Sequence, residues 1–160
     1  MRLLRRPTEP PDTSTLEIGR VLLASEGRPF PPSAIRFASS LRAPVRVLSV
    51  ARVYGTAFAF PNPWLRPSRQ EWDEQRDNVR NAIKALERLG VEADGHVIGT
   101  RRATRAILRE AVGQGCDVIV MAADPQRNRF VADMMWSQEP YRVRRRAPVP
   151  VYVVQSDDDQ

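Results

Sequence analysis

Between residues 16 and 155 the chain alternates short β-branched runs with stretches whose apolar residues recur at helical spacing. That alternation is the signature of repeated βαβ units and a parallel sheet. The first run, Arg20-Val-Leu-Leu-Ala24, is apolar at consecutive positions, as a strand covered on both faces has to be. Residues 25–28 read as a turn, and the prolines that follow, up to Pro32, add further stops. Helical spacing predicts a first helix over 33–41, with Ala34, Phe37, Ala38 and Leu41 on one stripe. A second strand is predicted over 45–53.

Residues 54–67 are rich in proline and aromatics, with Phe58, Phe60 and Trp64 among them. A loop of that length in a domain is commonly a lid or a contact surface, and packing on its own domain is the other reading. The loop ends at a helix-start signal, Ser68 with Glu71 three residues on, the pair that forms a capping box. The second helix is expected over 69–89, with Val79, Ile83 and Leu86 inward and Gly90 as its stop. A third strand is expected over 91–98 and a third helix over 102–112, with Ile107, Leu108 and Ala111 inward. Residues 117–122 are the most continuous apolar run and read as strand four. A fourth helix then precedes strand five, Val149–Val154, where Pro150 marks an edge strand because proline donates no ladder hydrogen bond.

The predicted domain is 16–155. Residues 1–15, with three prolines and little periodicity, read as a flexible N-terminal tail, and 156–160, with Asp157-Asp158-Asp159, as an acidic C-terminal tail. A chain of 160 residues is of one-domain size and can bury a core without disulfide or metal staples. Cys116 is the single cysteine, so no intrachain disulfide is possible. No apolar run reaches the ~20 residues of a membrane span, and no signal peptide is recognisable, so a cytoplasmic location is expected. The net charge of +6 invites a nucleic-acid reading. Lys84 is the sole lysine, however, and the arginines lie scattered along the chain, which disfavours that reading.

Four segments narrow the fold. Val21-Leu-Leu-Ala-Ser-Glu-Gly27, Gly90-Val-Glu-Ala-Asp-Gly-His-Val97, Cys116-Asp-Val-Ile-Val-Met-Ala122 and Arg146-Ala-Pro-Val-Pro-Val-Tyr-Val-Val154 resemble strands one, three and four and the closing segment of universal stress proteins. The resemblance implies an α/β fold, an open five-stranded parallel sheet with helices on both faces. This is the Rossmann-like, adenine nucleotide alpha hydrolase-like arrangement, strand order 3-2-1-4-5. Many members of that family bind ATP through an acidic residue after strand one and a glycine motif after strand four.

By that resemblance the acidic position is Glu26, and the motif positions fall on Asp124, Arg127, Ser137 and Gln138, none of them glycine. Glycines let backbone amides approach phosphates, and a carboxylate at Asp124 adds like charge in the tightest place. ATP binding by the usual geometry is therefore not expected. Glu26 reads as a turn residue or helix-end partner, with a ribose ligand as the sharper alternative. Ser137, ahead of Gln138-Glu139-Pro140, reads as a helix cap, with a residual anion site as its alternative. His96 has no Cys or His partner at metal spacing and reads as structural. Cys116 reads as a small buried hydrophobe. The Arg142-Val-Arg-Arg-Arg146 run reads as a solvated helix end whose charge complements the dipole, with an anion patch as its alternative.

No nucleophile triad, metal cluster or P-loop is recognisable, so no enzyme activity, cofactor or metal is expected. The expected function is that of a non-enzymatic stress-response domain acting through protein contacts. It would be a homodimer joined through edge strand five by Val149, Val151 and Val153, with Tyr152 on the other face. The alternative is a sensor domain for ATP, another adenine nucleotide or another anion. Its ligand would lie at the carboxyl ends of strands one and four, lined by Glu26, Asp124, Arg127, Ser137 and Gln138.

Overall fold

Four consecutive apolar residues, Val21 to Ala24, cannot all turn to one side of a strand, so a core is needed on each face. The computed structural model, which describes residues 17–52, 68–123 and 139–156, has that arrangement. Strands β1 (Val21–Ser25), β2 (Val45–Arg52), β3 (Ala93–Thr100), β4 (Val118–Ala123) and β5 (Val151–Gln155) form one parallel sheet in the order β3-β2-β1-β4-β5. Helices α1 (Pro32–Ser40) and α2 (Arg69–Arg88) cover one face; α3 (Ala103–Gly113) and α4 (Glu139–Arg146) cover the other. The helical layers expected from the strand–helix alternation and the strand order implied by the family resemblance are those observed.

Alternate residues of the central strands feed the two cores. Val21, Leu23, Val45, Val47, Val118 and Val120 meet Ala34 and Ala38 of α1 and Val79, Ala82 and Leu86 of α2. Leu22, Ala24, Leu48, Val50, Ile119 and Met121 meet Ala103, Ile107 and Ala111 of α3 and Val143 of α4. The expected inward residues Phe37, Leu41, Ile83 and Leu108 are half-buried at the rims instead. Ala34, Ala38, Ala82 and Ala111 are almost fully buried alongside Leu86 and Ile107, so small and large side chains together fill the layers between helices and sheet.

Local signals held where they carry a mechanism. Ser68 Oγ accepts from Glu71 N at 3.1 Å and Glu71 Oε2 accepts from Ser68 N at 2.6 Å, the reciprocal capping box that starts α2. Strand β5 is an edge, paired with β4. Pro150 lies one residue before it rather than within it, and its carbonyl accepts from Ile119 N at 2.9 Å. Proline can accept but not donate, so the strand start is where it fits.

His96 belongs to a charged cluster under the edge of α3. Arg46 donates to Glu110 Oε1 (3.0 Å), Asp94 Oδ2 (2.6 Å) and His96 Nδ1 (2.7 Å). Burial opposes the charge on Arg46, but bonds to Glu110 and Asp94 and their Coulomb attraction outweigh it and raise its pKa. The arginines are not scattered as the linear sequence suggested: eight of them stand on α3, α4 and the two residues leading into α3.

Candidate ligand crevice at the ends of β1 and β4

In this strand order the connections diverge between β1 and β4, the switch point at which open α/β sheets receive ligands. A cavity of about 210 Å³ lies there, lined by Ser25, Glu26, Arg28, Met121, Ala123, Ser156 and Pro29, Pro31 and Pro140. It falls short of the roughly 300 Å³ at which small-molecule sites usually begin. Glu26 is thus in the wall, where the sequence pointed. Asp124, Arg127, Ser137, Gln138 and the aromatic loop with Phe58, Phe60 and Trp64 lie outside the described residues.

The turn that carries Glu26 is built by its neighbours. Ser25 Oγ donates to the Arg28 carbonyl at 2.8 Å and accepts from Arg28 N at 3.3 Å. Gly27 adopts φ 73°, a left-handed conformation that a side chain would strain. Its carbonyl accepts from Gln75 Nε2 at 2.8 Å, and Gln75 Oε1 accepts from buried Ser49 Oγ at 2.6 Å. Helix α2 thereby reaches across the sheet end and fixes the turn.

Among the described residues the crevice offers few backbone amides to an anion, although Arg28 stands in its wall. Helix α1 is capped by Pro31 and begins with Pro32, which has no N–H. The Ala34 and Ile35 amides turn back to the Pro31 carbonyl at 3.1 and 3.2 Å, so of the first three helical residues Ser33 alone has an amide to offer. Helix α4 begins with Glu139 and Pro140, and the second again lacks an N–H. Two hydroxyls nearby are also engaged: Ser33 Oγ donates to the Gln155 carbonyl (3.1 Å) and Ser156 Oγ to the Ala123 carbonyl (3.3 Å). Among the described residues no buried polar side-chain atom is left without a partner.

A scan against known protein families matches the universal stress protein family over residues 18–155. The chain belongs to the universal stress protein family. Similar solved structures agree in fold. A universal stress protein from Archaeoglobus fulgidus is 16% identical with a TM-score of 0.63, covering 85% of this chain and 93% of its own. A second structure from that organism, in complex with dAMP, has 15% identity, TM-score 0.61 and coverages of 85% and 97%. A family protein from Arabidopsis thaliana with AMP bound has 12% identity, TM-score 0.54 and coverages of 89% and 94%. A search of curated protein sequences returns no match. As a universal stress protein domain the chain departs from the nucleotide motif in sequence, with no glycine anywhere after Gly115.

The crevice residues that the sequence did not single out are Arg28, Ser25, Ser156 and the prolines. Arg28 stands two residues from Glu26 and was the available signal; the prolines read as stops, although their missing amides matter more. The residues expected at a dimer interface serve the domain's own core. Val151 is 9% exposed, and Val149 and Val153 pack beside it against the α3/α4 core. Tyr152 meets Phe37 at a ring-centroid distance of 5.2 Å on the other face. An acidic residue at Val151 would therefore open the core as well as disturb an interface. Among the described residues, no helix is long and apolar enough to cross a membrane.

Proposed function

We propose that this universal stress protein domain acts through protein contacts as a homodimer, without catalysis, and does not hold ATP by the family's glycine geometry. The observation that carries this reading is the absence of glycine at the motif positions Asp124, Arg127, Ser137 and Gln138; among the described residues, prolines at the starts of α1 and α4 also withhold backbone amides from a triphosphate. Calorimetric titration with ATP and magnesium is expected to give no heat of binding. Micromolar affinity, or adenine nucleotide in an acid extract of the purified protein, would overturn it.

The dimer would form along the free edge of β5. Pro150 and Ser156 bond to β4 through Ile119 and Ala123, and the parallel ladder alternates. Val151, Val153 and Gln155 therefore point their main-chain groups outward, and Ser33 already occupies the Gln155 carbonyl. Val153→Pro deletes an outward N–H and spares the β4 ladder. Sedimentation should show the parent as a dimer and this variant as a folded monomer; equal masses would remove the edge-pairing idea.

A second reading is an adenine-nucleotide or other anion sensor. Structures similar to this chain carry dAMP and AMP, and Glu26 and Arg28 share the crevice wall. Asp124, Arg127, Ser137 and Gln138 would complete that site.

A further inference from the structure

Folding divides the charge between the two helical layers. Helix α2 carries five basic and five acidic residues. Helices α3 and α4, with Arg101 and Arg102 leading into α3, carry eight arginines against Glu110 and Glu139. The excess on this one face equals the +6 of the entire chain. Both glutamates are turned inward. Glu110 is bonded to Arg46, and Glu139, 5% exposed, accepts from the Thr104 amide and hydroxyl and lies 3.5 Å from Arg142. The eight arginines are exposed, and among the described residues Arg142 alone of them pairs with a carboxylate.

Six of these arginines line two adjoining clefts. One, of about 670 Å³, lies between α3 and α4 with Arg101, Arg102, Arg105, Arg142 and Arg146 around Thr104 and Glu139. The other, of about 420 Å³, lies between α3 and β3 and includes Arg102, Arg105 and Arg109. Arg102 and Arg105 border both, so the positive track is continuous across α3. Its stripe from Arg102 to Arg109 alone runs about 10 Å at the helical rise.

We infer that the α3/α4 face is a nucleic-acid-binding surface that follows a phosphate backbone. Guanidinium forks match phosphate oxygens two at a time, and a track over two clefts is too extended for one phosphate group. Among the described residues the larger cleft has no apolar side chain in its lining, whereas protein interfaces centre on apolar or aromatic anchors and membrane-surface helices need an apolar face to insert. Tyr141, 43% exposed beside Arg142, adds a ring on which an unpaired base can stack. A single strand is the form such a surface fits best. This surface lies on the helical layer and does not depend on what the β1/β4 crevice binds.

The test is fluorescence anisotropy with a labelled single-stranded RNA of about 20 nucleotides, a length above the usual single-strand site. Binding should weaken steeply with salt, by roughly 0.7 in log–log slope for each phosphate contact. Replacing Arg101, Arg102 and Arg105 together by Gln should lower affinity about tenfold or more at ~0.1 M salt and flatten the slope by about two. The control in α2, replacing Arg76, Arg80 and Lys84 by Gln, should change neither. Ultraviolet crosslinks on the unaltered protein should map to α3 and α4, which keeps the test independent of how the variants fold. Absence of salt-dependent binding, equal losses in both triple variants, or crosslinks on α2 would overturn the inference. So would equal affinity for poly-glutamate or for anionic vesicles, which would point to an acidic protein or a membrane instead.

Discussion

Cys116 is 5% exposed in the core beneath α3, and burial raises its thiol pKa from 9.0 to about 11, with Arg20 opposing the shift in part. The folded state therefore favours the neutral thiol. That contribution is complete below pH 9 and is lost as pH rises towards 11 and above. Native protein at pH 8 should resist iodoacetamide and react once unfolded in urea. Cys116→Ala should lessen the fall of the unfolding midpoint between pH 9 and 11. A second residue-scale contact joins α4 to α3: Glu139 Oε1 accepts from Thr104 N at 2.7 Å and from its hydroxyl, capping α3 from a distant part of the chain. Thr104→Val should cost about 1 kcal/mol, because the amide keeps its acceptor. Glu139→Ala should cost about 2–3 kcal/mol by leaving both donors unmet in a buried place. Urea unfolding of both variants reads that order.

At the scale of elements, α2 both covers the sheet and holds the β1–α1 turn through Gln75. Gln75→Leu should cost about 1–3 kcal/mol, because the Gly27 carbonyl and the Ser49 hydroxyl lose their partner together. Adding Ser49→Ala should recover part of that loss, since the stranded hydroxyl is gone, and a double-mutant cycle on urea midpoints measures the recovery. The capping box at the other end of α2 was legible in the sequence because Ser68 and Glu71 are three residues apart and act on each other. The Gln75 tether was not: its partners are 26 and 48 residues away, and a glutamine in a polar helix gives no local sign that it will be buried.

For the whole molecule, eight arginines on one helical layer repel one another as well as attract an anion. Salt should relieve that repulsion within its short screening length, so the thermal midpoint should rise between about 0.05 and 0.5 M NaCl. The rise should be smaller with Arg101, Arg102 and Arg105 replaced by Gln; an equal rise would place the strain elsewhere. The linear sequence hid this asymmetry. Arg101–Arg109 and Arg142–Arg146 are separated by strand β4, and two consecutive crossovers on the same face of the sheet bring them together.

What the sequence determined by itself is what periodicity and short-range chemistry can specify. The consecutive apolar residues of β1 and β4 demand cover on both faces, the 3.6-residue stripes of α1 to α3 provide it, and the caps and prolines set where elements begin. Alternating strand and helix then restrict the topology to few choices. The tertiary structure decided which distant groups meet: Glu139 with Thr104, Gln75 with Gly27, and the arginines of α3 with those of α4. It also turned Val151 into the core and showed how prolines from separate segments strip amides from one crevice. Those outcomes depend on the relative placement of whole elements, set by the packing of two cores against one sheet, and no local pattern encodes that placement.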